Sequence, residues 1–153
     1  MSRRKARKVD YGELPTLLGY QLRRAHNRLF QGVRERVGGF YVTPGQYSLL
    51  VLIARNEGLS QVDLAVAAGI ERSTLGEVVD RFRTAGWVER RPSALDSRSY
   101  ALHLTTSGHE LIAAMEPEIR AHEQEMAASL SREEFEILVM LLAKVAEGKR
   151  QTD

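Results

Sequence analysis

Apolar residues recur every three or four positions along most of the chain, and this spacing predicts a mainly helical protein. From Leu14 the series Leu18, Leu22, Ala25, Leu29 and Val33 marks one long helix that Gly38-Gly39 ends. Thr43-Pro44-Gly45-Gln46 is the start of a second. Thr is a side-chain cap, Pro suits the first helical position, and Gln can reach back to the cap. Its apolar face is expected at Tyr47, Leu50, Val51 and Ala54, and Asn56-Glu57-Gly58 should stop it. Ser60 opens a third helix, with Asp63 in capping-box position and Gly69 at its end. A fourth runs from about Glu71 to Ala85 with the buried stripe Leu75, Val78, Val79 and Phe82, and Gly86 ends it.

The period then changes. Trp87 to Arg91 reads as a strand, Pro92 to Arg98 is polar and turn-rich, and Ser99 to Leu104 alternates, with Tyr100, Leu102 and Leu104 expected on one face. These segments predict a β-hairpin with a long tip. Thr105-Thr106-Ser107 begins another long helix through Leu111, Ile112, Met115, Ile119 and Met126, which Pro117 should kink or interrupt. Ser131-Arg132-Glu133-Glu134 is a capping box leading a last helix through Phe135, Leu138, Leu142 and Val145.

Gln61 to Asp80 carries the most information. Two short helices meet at a tight turn, with small Ala65 where they approach and Gly69 where a left-handed backbone is needed. Leu64, Ala68, Ile70, Leu75 and Val78 fill the space between them. This is a helix-turn-helix pattern, although any corner of two helices can show the same spacing. The hairpin that follows turns the pattern into a winged helix. Its basic residues Arg90, Arg91 and Arg98 can straddle a nucleic-acid backbone and enter a narrow minor groove. The competing reading is an ordinary solvated hairpin.

Charge distribution adds to this picture. The chain of 153 residues has a net charge of +2. Residues 1–104 hold 17 basic against 10 acidic side chains, a net of +7, and residues 105–153 hold 5 against 10, a net of −5. Such a split suits one part that meets a polyanion and another that does not. The first eight residues, MSRRKARK, have five basic side chains and no acid, as a disordered basic arm over residues 1–10 would. No apolar run approaches the length of a membrane span, and no apolar region follows the basic start. The chain has no cysteine, which fits a reducing, cytoplasmic setting and excludes thiol chemistry.

Enzyme chemistry finds little support. His26, His103, His109 and His122 have no metal-binding spacing, and no nucleophile motif or phosphate loop is present. No catalytic residue, metal or cofactor is therefore expected. His103 reads as structural, and His109 and His122 as helix-surface residues. Glu133 and Glu134 suit the first turn of a helix better than acid–base catalysis.

The sequence resembles the MarR family of transcriptional regulators from about Leu14 to Val145. The resemblance rests on Leu59-Ser60-Gln61, Ile70-Glu71-Arg72-Ser73-Thr74-Leu75, Val79-Asp80-Arg81-Phe82 and Ala85-Gly86-Trp87-Val88-Glu89-Arg90. It continues through Asp96-Ser97-Arg98-Ser99-Tyr100-Ala101-Leu102-His103-Leu104-Thr105, the family's D-x-R-x-x-x-L-x-L-T wing pattern, to Gly108. Thr43-Pro44-Gly45-Gln46-Tyr47 is similar to the family's second-helix start.

The resemblance implies a mostly α fold with a small β-wing: a winged helix-turn-helix over residues 43–104, with N- and C-terminal dimerisation helices over 11–42 and 105–150. It implies a homodimer that binds double-stranded DNA at a pseudo-palindromic operator. Arg72, Ser73 and Thr74 would face base edges, with Glu77, Arg81, Arg90 and Arg91 nearby. Asp96 would orient the wing and Arg98 reach the minor groove. Two positions depart from the family. Gly76 lies inside the recognition helix, and Glu77 stands where a basic or hydroxyl residue is common; Glu77 could accept from a cytosine amino group, but the favoured expectation is a pair with Arg81 one turn on. Many relatives bind small aromatic carboxylates between the dimer helices and the winged domain. Leu18 to His26 is similar to regulators of aromatic-acid catabolism, and the candidate effector residues are Tyr20, Arg23, Arg24, His26, Asn27 and Tyr47. An aromatic carboxylate or its thioester is the expected effector. The alternative is a nucleoid-type DNA-binding protein with no ligand control.

Overall fold

The computed structural model describes residues 9–30, 42–92 and 100–148. A short 3₁₀ turn at Leu14–Thr16 leads into helix α1, Leu18–Phe30. Then come α2 (Pro44–Arg55), β1 (Leu59–Ser60), α3 (Gln61–Ala68), α4 (Arg72–Thr84), β2 (Val88–Pro92), β3 (Tyr100–Leu104), α5 (Thr106–Ala127) and α6 (Arg132–Glu147). The fold is mostly α with a three-stranded antiparallel sheet in the order β1-β3-β2. The expected helix end at Gly38-Gly39 and the arm before residue 9 lie outside the described residues.

The helix starts follow from side-chain capping. The Thr43 hydroxyl accepts from the Gln46 amide at 3.3 Å, and the Gln46 side chain accepts from the Thr43 amide at 2.9 Å. Ser131 and Glu134 make the same reciprocal pair at the head of α6. At α3 only half of the box forms: Ser60 accepts from the Asp63 amide at 3.1 Å, while the Asp63 carboxylate accepts from the Ser60 hydroxyl at 2.6 Å. Each such cap satisfies donors that the first helical turn leaves without partners.

Leu50, Ile53, Leu64, Leu75, Val79, Phe82, Leu102 and Met115 are fully enclosed. They come from α2, α3, α4, β3 and α5, so the winged domain and the start of α5 share one core. The α4 stripe is buried as the period predicts. The α2 face is wider than expected. Leu49, Leu50 and Ile53 are its buried residues, and Tyr47, Val51 and Ala54 are half-buried. The cause is position: α2 packs against α5 on one side and against α3 and β3 on another.

Three further expectations are corrected. Of the kink or interruption expected at Pro117, the interruption does not occur, and α5 runs unbroken for 22 residues. Pro117 and Ala113, whose carbonyl loses its partner, are both exposed, so water can satisfy that carbonyl. Tyr100 does not join Leu102 and Leu104 in the core; it is 63% exposed, and its partner across the hairpin, Pro92, is exposed as well. The hairpin has left the helical layer at that level. His122 is buried rather than on the surface, with Nε2 2.7 Å from the Leu29 carbonyl oxygen of α1.

Candidate nucleic-acid interface

Gly69 turns the chain between α3 and α4 with φ of +66°, a conformation that a Cβ disfavours. The Ile70 amide donates back to the Ala65 carbonyl at 3.1 Å, closing the corner. Leu75, Val78, Val79 and Phe82 then anchor α4 in the core. Helical geometry leaves Arg72, Ser73, Thr74, Glu77, Asp80 and Arg81 exposed on the other side. These include all the candidate contact residues of this helix. Gly76 lies between the two faces, and a Cβ there would stand 3.5 Å from Gln61 Nε2 of α3.

The hairpin is fixed to the end of α4. The Trp87 amide donates to the Phe82 carbonyl at 2.9 Å, and the two rings pack with centroids 6.0 Å apart. Strand alternation separates the two arginines of β2. Arg90 shares the face of buried Val88, and its Nη2 lies 3.1 Å from Gln61 Oε1 and 3.3 Å from Asp80 Oδ1. Arg91 points to the other face, where Glu89 accepts from it twice. Asp96 and Arg98 lie outside the described residues. The expected Glu77–Arg81 pair does not form among the described residues. Asp80 is the acid in use on α4, shared by Arg83 at 3.2 Å and Arg90. Sequence reasoning missed Gln61 and Asp80 as partners because neither spacing within one helix nor strand alternation relates them to Arg90.

The candidate effector residues fall into two groups. On α1, the Arg23 and Arg24 guanidinium carbons each lie 5.7 Å from the Tyr20 ring centroid, and the Tyr11 ring lies 6.5 Å from it. His26 and Asn27 are exposed on the same helix. Tyr47 is on α2 and faces α5. Burial there raises its phenol above the usual range, Glu116 adds to the rise, and Arg120 opposes it. No hydrogen bond or ring contact among the described residues joins Tyr47 to the α1 group. A separate cleft of about 580 Å³ opens between the start of α2 and the α3–α4 turn; Leu49, Leu52, Ala68, Ile70 and Val78 help to line it. Among the described residues no charged side chain does, which makes it a poor seat for a carboxylate. Among the described residues no cluster of His, Cys, Asp and Glu has the composition of a metal site.

Residues 42–99, from just before α2 through β2 and up to the start of β3, match the MarR family model. A protein of Thauera aromatica assigned as transcriptional regulator of the hcr operon is 36% identical over 143 residues, covering 93% of this chain and 86% of the relative. This chain belongs to the MarR family. It is a MarR-type, DNA-binding transcriptional regulator with the winged-helix fold. The solved repressor CouR bound to a 23-mer DNA duplex superposes on the regulator with a TM-score of 0.84 at 32% identity, covering 92% of this chain and all of CouR. CouR bound to p-coumaroyl-CoA gives 0.83 at 31% identity, covering 93% of this chain and all of CouR. No described helix of the regulator is long and apolar enough to cross a membrane.

Proposed function

We propose that this regulator is a homodimeric repressor that holds a pseudo-palindromic operator and releases it on binding a small aromatic acid or its thioester. The observation that carries the dimer is α6. None of its residues is buried, yet Ile137, Leu138, Val139, Met140, Leu141 and Val145 line it. Val9, Tyr11, Leu14, Leu17 and Leu18 are exposed at the other end of the chain. So much apolar surface is unusual on a monomer and suits pairing about a two-fold axis. Residues 11–42 and 105–150 make up the dimerisation region in this reading, and 43–104 the DNA-binding domain.

Two winged domains related by that axis read half-sites about one helical turn apart. Arg72, Ser73 and Thr74 stand at the start of α4, where the helix dipole favours anionic phosphate, and Glu77 and Arg81 continue the same exposed side. Arg91 serves the flanking backbone and Arg98 the minor groove, while Asp96 orients the wing. The effector reading rests on the Tyr20, Arg23 and Arg24 group, which offers cations and a ring edge to a carboxylated aromatic. The likeness to a repressor solved with p-coumaroyl-CoA supports the same chemical class. This reading assigns the protein no catalysis.

Genomic footprinting followed by anisotropy titration tests it. The operator so recovered should bind far more tightly than a scrambled duplex, with affinity falling steeply as salt rises. Equal affinity for both duplexes would replace the regulator with a nucleoid-type binder.

A further inference from the structure

We infer that Arg90 is a positioning residue for operator reading: it clamps the wing to the helix-turn-helix instead of contacting DNA. The inference rests on the proposed operator-specific binding. Three observations on separate elements support it. One guanidinium nitrogen of β2 reaches both Gln61 at the first turn of α3 and Asp80 on α4. Among the described ion pairs, Arg90 is the least exposed arginine, at 32%. A Cβ at Gly76 would stand in ordinary contact with Gln61 Nε2, 3.5 Å away, so the side chain that accepts from Arg90 packs beside the recognition helix itself.

An arginine whose charge is already paired with a neighbouring carboxylate displaces fewer counterions from DNA than an unpaired one. Its effect is on geometry. Specific binding requires the wing and the recognition helix to meet the duplex in one fixed relation, whereas non-specific binding needs only positive charge near phosphate. Loosening the clamp should therefore lower the ratio of operator to non-specific affinity and leave the salt slope unchanged.

Arg90→Gln and Asp80→Asn separate this from simple electrostatics, because they change the net charge in opposite directions. If charge alone mattered, the first would weaken operator binding and the second would strengthen it. The clamp requires both to lower the operator-to-scrambled ratio, by about tenfold. The double variant should lose no more than either single one. Melting temperatures should hardly move, since the pair is partly exposed. Anisotropy titrations of the full-length protein over a salt series measure these quantities, and hydrogen exchange of the free protein reads the hinge directly. Faster exchange of the β2–β3 amides in both variants is expected. Three results would overturn the inference: tighter operator binding by Asp80→Asn, unchanged hairpin exchange, or a salt slope that falls by about 1 in Arg90→Gln, the signature of a lost phosphate contact. If the wild-type protein fails to discriminate operator from scrambled duplex, the regulator reading falls, while the exchange data still decide the clamp.

Discussion

Replacing Gly108 with Ala should damage this protein, whereas the same change at Gly76 should help it. A Cβ on Gly108 would lie 2.2 Å from the Trp87 carbonyl oxygen and 2.9 Å from Leu104 Cδ2. The first atom is backbone, so relief requires α5 and the base of the hairpin to part by about 1 Å, and forced overpacking of this kind costs about 1–3 kcal/mol. The same movement strains two bonds at the junction: Thr105 N to Trp87 O at 3.0 Å and Gly108 N to Thr105 Oγ1 at 3.1 Å. Weakening them adds about 1 kcal/mol. Better helix propensity returns at most about 1 kcal/mol. The net loss is about 2 kcal/mol, or a melting temperature lower by about 4–8 °C for a chain of this size. At Gly76 the nearest atom to the new Cβ is the flexible end of Gln61 at 3.5 Å, so the propensity gain of about 0.5–1 kcal/mol should survive. Thermal and urea unfolding at one fixed protein concentration, followed by circular dichroism, compares the three proteins. A Gly108→Ala variant as stable as wild type, or a Gly76→Ala variant less stable than it, would refute the packing argument.

Leu138→Glu with Leu142→Glu places charges on the exposed apolar side of α6; sedimentation should show a shift to monomer, and operator affinity should fall with it. Arg98→Ala should cut operator affinity by about tenfold or more, with an unchanged circular dichroism spectrum. A panel of benzoates, cinnamates and their coenzyme A thioesters should contain a compound that releases the operator, and Arg23→Ala with Arg24→Ala should raise the concentration required by about tenfold. Release by a non-aromatic compound alone would remove the aromatic-effector reading.

The periodic parts of this fold were legible in the sequence. The Leu75, Val78, Val79 and Phe82 stripe, the caps at Thr43 and Ser131 and the glycine turn at Gly69 depend on neighbours within a few residues. What failed depends on tertiary surroundings. Pro117 breaks a helical bond, but at a position where solvent can take over. His122 has no apolar signature, and only the arrival of the Leu29 carbonyl explains its burial. Strand β1 has two residues, too few to carry a period, and exists because Leu59 and Ser60 reach Leu102 and Ala101. In the candidate interface, the exposed side of α4 could be deduced from its buried side. The Gln61–Arg90–Asp80 arrangement joins residues 29 and 10 positions apart and becomes visible only in three dimensions.

The close seating of Gly108 on the Trp87 carbonyl has a mechanical consequence. With 22 residues at about 1.5 Å each, α5 is an arm about 33 Å long, and its near end rests on the base of the wing. The hairpin strands are five residues, an arm of about 17 Å on the other side of the same pivot. Rotation about that pivot works as a reducing gear: a displacement of 3 Å at the far end of α5, taken as an order of magnitude, turns the hairpin by about 5° and moves its outer end by roughly 1.5 Å. In the proposed dimer, coarse motion at the far end of α5 would become fine adjustment at the hairpin, on the scale that separates a made hydrogen bond from a missed one.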